Sequence, residues 1–563
     1  MSPQPNLSAL IWSVADLLRG DFKAHEYGRV ILPFTVLRRL DCVLEPTRDQ
    51  VLAVAKEHAK EGEAVIDAFA RRVSGQSFYN LSPLDLKTIL GDQDHLGSNL
   101  LGYVNQFSRE VRDIFRRFDF ANTIDRLYKA NLLYLLVEKF TNIDLHPDTV
   151  SNFDMGLIFE ELLRKFSEMS NETAGEHFTP REVIRLMVEL LFIEDHAALS
   201  QAHAVRTLYD PTAGTGGMLS VAQEYLHDLN PQVRLTLFGQ ELNDESYAIC
   251  KGDMLVKGQD VGNIVPGNTL SDDGLPGKRF DYLLSNPPFG VEWKKVEREV
   301  RQEHERQGYS GRFGPGLPRV SDGSLLFLLH LLSKMRKPEE GGGRMGIVLN
   351  GSPLFTGGAG SGESEIRRYL LEKDLIEAIV ALPTDMFFNT GISTYVWILS
   401  NRKPMERKGT VQLIDASGLG TKMRKSLGSK RKELSPDQIR TIVQAFGSFQ
   451  ALEQAIVLDA NGKELERVAL FPDTPEPQMP EGGNVKRVPF SKILRNADFG
   501  FRVLTIERPT RDEQGNIVIG ERGKQKGKPT PDSSLRDTET IPLHATGGSI
   551  LKRRSNLTSL TPG

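Results

Sequence analysis

Cysteine is almost absent: Cys42 and Cys250 are the only two among 563 residues. Two such distant thiols make neither a disulfide framework nor a metal-ligand cluster, so no metal is expected. Such sparing use fits a reducing cytoplasm. Long apolar runs are missing too. The longest, around Leu132–Val137 and Leu325–Leu332, fall well short of the roughly 20 residues that cross a bilayer. No basic segment followed by an apolar one opens the chain, so no secretory signal is expected. The protein is expected to be soluble, cytoplasmic and without membrane partners. An excess of positive charge is also lacking. The net charge is -4, so nucleic-acid contact must come from local patches or from a partner subunit. There is no G-x-x-x-x-G-K-[ST] loop, helix-turn-helix pattern or zinc module, which argues against ATP chemistry and autonomous sequence reading.

The composition is ordinary for a globular chain, with 39% hydrophobic and 26% charged residues. The length calls for two or three domains. From about residue 7 to 145 the apolar positions recur at helical spacing, as in Leu7, Leu10, Ile11, Val14, Leu17 and Leu18. Residues 1–147 are therefore expected to form an all-helical N-terminal domain. Two further helices are predicted over Phe153–Met169 and Pro180–Leu191, with Thr179 as N-cap and Pro180 at the first helical position. After about residue 205 short apolar runs alternate with helical stretches. The runs are Arg206–Asp210, Arg234–Glu241, Phe280–Ser285, Gly343–Asn350, Ile376–Pro383, Ser393–Ser400 and Val411–Asp415. This rhythm predicts an α/β domain over 148–470, with an open, mostly parallel sheet covered by helices. Such sheets bind ligands beyond the carboxyl ends of their strands, at the point where strand order reverses. Phe471–Pro480 holds four prolines and reads as a linker. The remainder of 471–563 reads as a polar C-terminal extension.

Three motifs carry chemistry. The first is Asp210-Pro211-Thr212-Ala213-Gly214-Thr215-Gly216-Gly217, between a predicted strand and a predicted helix. Its glycines allow a tight turn and close approach of a ligand. The third glycine of a dinucleotide fingerprint is replaced by Leu219, which disfavours a nicotinamide site. A ligand-free turn fits the loop equally well when it is taken alone. The second is Glu241, at the tip of the next run. A carboxylate there can accept hydrogen bonds from both hydroxyls of a ribose, which favours an adenosine-containing cofactor. The third is Ser285-Asn286-Pro287-Pro288-Phe289, directly after an apolar strand. The prolines stiffen the loop and donate no backbone hydrogen bond. Their carbonyls and the Asn286 side-chain oxygen accept. Two acceptors aimed at one amine suit an exocyclic NH2 group, whose lone pair they would localise. Phe289 offers a ring face to a flat base. The alternative is a rigid Pro-Pro turn.

Together these motifs resemble the amino-methyltransferases that use S-adenosylmethionine, in the gamma-type order with the glycine motif first. More narrowly, the chain resembles the modification (methylase) subunit of type I restriction-modification systems, over about residues 7 to 540. Further marks are Tyr27-Gly28-Arg29-Val30-Ile31-Leu32-Pro33-Phe34, Glu176-His177-Phe178-Thr179-Pro180-Arg181 and Gly267-Asn268-Thr269-Leu270. The resemblance implies a Rossmann-like, mostly parallel seven-stranded sheet. It implies cofactor contacts from Glu176, His177, Phe178, Thr179, Pro180 and Arg181, and from Asp210, Thr212, Ala213, Gly214, Glu241 and Asn268. It implies Asn286, Pro287, Pro288 and Phe289 as the catalytic loop. The implied reaction is direct displacement of the sulfonium methyl by N6 of an adenine flipped out of duplex DNA. Two copies of the chain would join one specificity subunit, which reads the target, and a nuclease-translocase restriction subunit can add. The resemblance also implies a helical continuation after Arg536-Asp537-Thr538-Glu539. Residues 543 to 563 lack that pattern, so the tail is expected to be truncated or altered.

Two alternatives remain open at this level. One is methyl transfer to another amine, in an RNA base or a protein glutamine. The other is a non-catalytic scaffold that binds the cofactor. Two basic stretches also lack an assignment. Residues 421–432 carry six positive charges and no acid, and read either as a solvated face or as a phosphate contact. Glu292–Arg319 mixes seven basic with five acidic residues, and reads either as a surface helix or as a cover over substrate.

Overall fold

The computed structural model describes residues 12–169, 179–201, 203–388, 390–427, 429–520 and 526–543. Within 12–150 these are helices and connecting turns. The helix Tyr27–Leu44 is apolar on nearly every side and is buried accordingly. Phe34 lies 5.0 Å from Phe120 and 5.6 Å from Phe140, ring centre to ring centre. The polar residues of this helix have work to do where they are buried. Asp41 pairs with Arg38 at 2.7 Å and accepts from the Tyr103 hydroxyl at 2.8 Å. Arg39 donates to the Val150 carbonyl and to Asn152 Oδ1, each at 2.8 Å, and so ties down the passage out of the helical part.

Beyond it the chain folds as an α/β unit around one eleven-stranded sheet. Its first strands are β1 (Val205–Asp210), β2 (Arg234–Glu241), β3 (Ile264–Pro266), β4 (Tyr282–Ser285) and β5 (Arg344–Asn350). They lie side by side in the order β3-β2-β1-β4-β5, all parallel. Next come β7 (Thr394–Ser400), antiparallel to both neighbours, and β6 (Ile376–Ala381). These seven match the mostly parallel seven-stranded sheet that the resemblance implies; six of them are runs predicted from the sequence, and β3 is not. The order reverses between β1 and β4: β2 and β3 go to one side, β5 to the other.

The sheet does not stop there. It continues through β8 (Thr410–Asp415), parallel to β6, and then β13 (Asn484–Arg495), β11 (Leu452–Leu458) and β12 (Glu464–Leu470), which are antiparallel. Phe471–Pro480 carries no helix or strand, but the polar extension expected after it is corrected, because β13 lies inside the sheet. Pro489 interrupts its pattern, and a proline normally excludes a central strand. A register shift opposite Leu452 and Glu453 accommodates it. The basic stretch is a hairpin of β9 (Thr421–Leu427) and β10 (Lys430–Glu433). A second hairpin joins β14 (Phe501–Ile506) to β15 (Asp537–Pro542). The expected truncation beyond residue 543 lies outside the described residues.

Hydrophobic residues of the helical part and of one face of the sheet form a single cluster, from Val14 and Phe34 to Leu208 and Ile398. The helix Asp244–Val256 is the joint, packing against both Tyr27–Leu44 and Arg109–Arg117. A Cβ at Gly252 would stand 3.1 Å from Val36, so the helices approach closely there. The opposite face of the sheet carries a second core, which includes the apolar helix Ser324–Lys334.

Candidate active site

The site lies where the strand order reverses. β1 ends at Asp210 and β4 at Ser285, and the loops that leave them touch: Thr212 Oγ1 is 2.7 Å from Ser285 Oγ. Asp210 is buried and accepts from the Thr212 amide at 2.9 Å and its hydroxyl at 3.2 Å. Burial pushes its carboxyl up to about 7, against the pull of the Thr212 hydrogen bonds and with a further push from Glu241. The glycine loop turns through positive φ at Gly214 (53°) and Gly216 (84°). At Gly216 a side chain is excluded twice, since a Cβ would also come within 2.8 Å of Cys250 Sγ. The helix Gly217–Leu229 follows at once.

Glu241 ends β2 with its side chain almost wholly buried. Its Oε2 accepts from the Gly214 amide at 2.7 Å, and its Oε1 from the Asn243 amide at 2.7 Å. The carboxylate is thus fixed by two backbone donors, with lone pairs to spare for a diol. Gly267 donates to the Glu241 carbonyl at 2.9 Å, which brings the Gly267–Leu270 segment alongside. There Asn268 Oδ1 accepts from the Leu270 amide at 3.0 Å, and Thr269 Oγ1 donates to the Pro211 carbonyl at 2.6 Å.

On the other side, Asn286 donates from Nδ2 to Thr179 Oγ1 at 2.9 Å. Its Oδ1 is buried and has no hydrogen-bond partner among the described residues. This corrects the cap expected at Thr179. The helix Arg181–Phe192 begins one residue later, Pro180 precedes it, and the Thr179 hydroxyl orients Asn286 instead. The ring of Phe289 meets that of Phe387 edge-on, with centres 5.6 Å apart.

These segments line one cleft of about 1280 Å3. Its wall includes Thr179, Arg181, Asp210, Thr212, Ala213 and Gly214. Glu241, Asn268, Asn286, Pro288 and Phe289 complete the residues expected from the sequence. Pro180 and Pro287 are buried behind the wall rather than on it. Arg181 spends its guanidinium on Glu160 and on Glu224, the latter at 2.9 Å. Glu176, His177 and Phe178 lie outside the described residues.

The opposite wall comes from the helical part, through Glu26, Arg29, Arg117, Asn122 and Arg126. Sequence reasoning did not foresee this, because these residues sit on polar helix faces that look like any solvated surface. Nor did it foresee Arg312. From the mixed-charge stretch, Arg312 donates to the Thr269 carbonyl at 2.6 Å and the Leu270 carbonyl at 2.9 Å, and pairs with Glu303 at 2.7 Å. It also lies 3.1 Å from Nδ1 of His330, which is buried. Burial holds that imidazole neutral, far below the usual histidine range, so Nδ1 accepts from Arg312 and Nε2 donates to the Tyr209 hydroxyl at 3.0 Å. The stretch is thus locked beside Asn268.

The fold and site define an α/β methyltransferase with its cleft at the strand-order switch. The N-6 DNA methylase family model matches residues 151–467, and the HsdM N-terminal domain model matches residues 7–140. The chain belongs to the N-6 DNA methylase family, as a modification subunit of the type I restriction-modification branch. It is an adenine-specific DNA methyltransferase with S-adenosylmethionine as methyl donor. Among its relatives, the type I restriction enzyme MjaIX methylase subunit of Methanocaldococcus jannaschii is 25% identical over 480 residues, covering 80% of this chain and 78% of the relative. The MpnII methylase subunit of Mycoplasma pneumoniae is 23% identical over 483 residues, covering 78% and 83%. The crystal structure of a type I restriction-modification methyltransferase subunit from Streptococcus thermophilus superposes with a TM-score of 0.62, at 24% identity, over 79% of this chain and 94% of that one. DNA and other subunits of such a system are its partners. Among the described residues no helix is long and apolar enough to cross a membrane.

Proposed function

We propose that Asn286 Oδ1 and the Pro287 carbonyl hold the exocyclic amine of an adenine drawn out of duplex DNA. The observation that carries this reading is the Asn286 amide. Its nitrogen is spent on Thr179, and its oxygen is left buried with no partner among the described residues. An unsatisfied buried acceptor costs roughly 1–3 kcal/mol, a cost removed when a donor arrives. An amine proton is such a donor. Drawing the amine protons toward two acceptors turns the nitrogen lone pair out of conjugation and into the cleft. Phe289, held edge-on by Phe387, receives the base, whose unstacking costs a few kcal/mol.

The chain's residues fit the cofactor. Glu241 is pre-oriented by two amides to accept from a ribose diol, and Gly214 and Gly216 let the backbone come close. Asp210, Thr212, Ala213 and Asn268 line the same cleft, and Thr179 and Arg181 are on its wall too. S-adenosylmethionine supplies a methyl group on a positively charged sulfur. Asp210 holds a carboxyl that can balance that charge when it ionises. Catalysis then rests on positioning and fixed electrostatics. In this reading the catalytic unit begins near residue 148 and runs through β13, and the helical unit before it, described from residue 12, forms its facing wall. Two copies of the chain join one specificity subunit, which chooses the adenine, with a nuclease-translocase subunit added for restriction, in the cytoplasm.

The test is Asn286→Ala in the full chain assembled with its specificity subunit. Methyl transfer to duplex DNA is expected to fall by about 100-fold or more, with S-adenosylmethionine affinity kept. Unchanged transfer would overturn the assignment, as would transfer to RNA or protein in preference to DNA by the unaltered chain.

A further inference from the structure

The hairpin β9–β10 presents cations that have no ion-pair partner among the described residues. Lys422 and Lys432 are directly opposed across the hairpin, and Arg424 lies two residues along the same strand as Lys422. Side chains two apart on a strand, and those directly opposite, share a face. Lys422 and Lys432 therefore share a face, and Arg424 stands two residues on, where the register of the hairpin shifts. Lys422 and Arg424 are exposed and Lys432 is half-buried. Among the described residues none of the three is in an ion pair. Some other exposed arginines, such as Arg301 and Arg368, are matched by a carboxylate on their own helix. Like charges directly opposite destabilise a hairpin unless an anion joins them.

The hairpin is not a loose surface flap. Lys430 is its buried anchor, paired with Glu182 one residue after Arg181. Ser429 donates to the Phe388 carbonyl at 2.8 Å, and Arg431 and Lys432 donate through their amides to the Asp385 carbonyl at 2.9 and 3.1 Å. The same loop carries Phe387, which meets Phe289. β4, β6 and β8 run in one direction, so the loops that follow all three leave the same edge of the sheet. The three cations are thus seated at the edge where Asn286 stands, and are held there by the start of the helix that follows Thr179.

We propose that this face of the β9–β10 hairpin grips the phosphate backbone of duplex DNA beside the extruded adenine. The inference rests on the DNA reading of the cleft and adds the surface that holds the duplex. Each phosphate neutralised releases condensed counterions, which makes the affinity depend on salt with a slope of about 0.9 per contact.

The experiment compares the full chain, assembled with its specificity subunit, with the Lys422→Ala, Arg424→Ala, Lys432→Ala triple variant. Affinity for one target duplex is measured across a salt series. The slope of log affinity against log salt should become shallower by about two to three units, and affinity at low salt should fall about tenfold or more. S-adenosylmethionine affinity should be unchanged. A charge-keeping variant, Lys422→Arg, Arg424→Lys, Lys432→Arg, should restore the slope, which a merely structural role would not predict. An unchanged slope in the alanine variant overturns the proposal, and so does lost methyl transfer with undiminished DNA affinity. The Asn286 reading fails separately: there methyl transfer would survive Asn286→Ala whatever the salt slope of the hairpin variant.

Discussion

At the scale of single residues, the site is defined by groups whose partners were chosen in advance. Asp210 is the clearest. Its carboxyl, ordinarily near 3.8, is pushed up to about 7 by burial. Between about pH 4 and pH 7 the unfolded chain gives up this proton while the folded chain keeps it, so stability falls as pH rises through that window. Asp210→Asn keeps an acceptor for the Thr212 amide and removes the titration. The variant's thermal midpoint should change less than the parent's from about pH 4 to 7, and should lie above the parent's at about pH 8, with weaker cofactor binding. Parallel midpoint curves for the two proteins would show that Asp210 is not the buried acid. Much of this level was legible in the sequence. Asp210, Glu241 and Asn286 stand at strand tips, and the glycine loop, the acidic tip and the Pro-Pro turn point to a cofactor site only when taken together. What could not be read was the partner of each group. Nothing in the spacing of Thr179 and Asn286 announces that their side chains meet, because that pairing is made by the sheet.

At the scale of elements, stretches without periodicity were the hardest to read, and they turn out to be anchored. The mixed-charge stretch after the catalytic loop reads from sequence either as a surface helix or as a cover over substrate. Arg312 converts it into a brace, satisfying the Thr269 and Leu270 carbonyls and Glu303 at once. Arg312→Met should leave two carbonyls without their donor and Glu303 with only the backbone amide of residue 312, at a cost of about 3–5 kcal/mol for a pair so little exposed. Urea unfolding checks the stability, and calorimetry should show weaker cofactor binding because the Asn268 turn loses its support. A variant as stable as the parent would mean that the stretch is held elsewhere. β13 escaped for a different reason. Lysines, arginines and Pro489 alternate with its few apolar residues, and only the bulge facing Leu452 makes that sequence a strand. Helical periodicity in the first 147 residues, by contrast, is a local property and was readable as such.

At the scale of the whole molecule, the helical part is more than an appendage, since it shares a core with one face of the sheet and walls the cleft. Two ion pairs cross the joint. Arg29 meets Glu245 at 2.8 Å, and Arg117 reaches Asp244 while its guanidinium lies 4.6 Å from the centre of the Tyr247 ring. Both acids open the helix that follows Glu241. The Arg29 pair is exposed and worth at most about 1 kcal/mol, whereas Arg117 is largely covered and also pairs with Asp113 at 3.2 Å. Replacing Arg29 with alanine should therefore lower the melting temperature only slightly, replacing Arg117 should lower it more, and each variant should keep a single calorimetric transition. Two separated transitions in either protein would show that the helical part and the sheet fold independently. No pattern in the sequence gave this joint away, because the residues that make it lie on faces of ordinary polarity.

Cys42 lies within the helical part, and Cys250 lies directly behind Gly216. Burial raises both thiols above their ordinary range, so neither reacts until the packing around it opens. The two sulfurs are therefore two clocks already installed. A thiol reagent reaches Cys42 at the rate at which the helices part, and Cys250 at the rate at which the glycine loop lifts. Opening of the shared core would set both clocks to one rate, whereas breathing of the loop alone would advance only the second. A ligand seated on that loop would stop it.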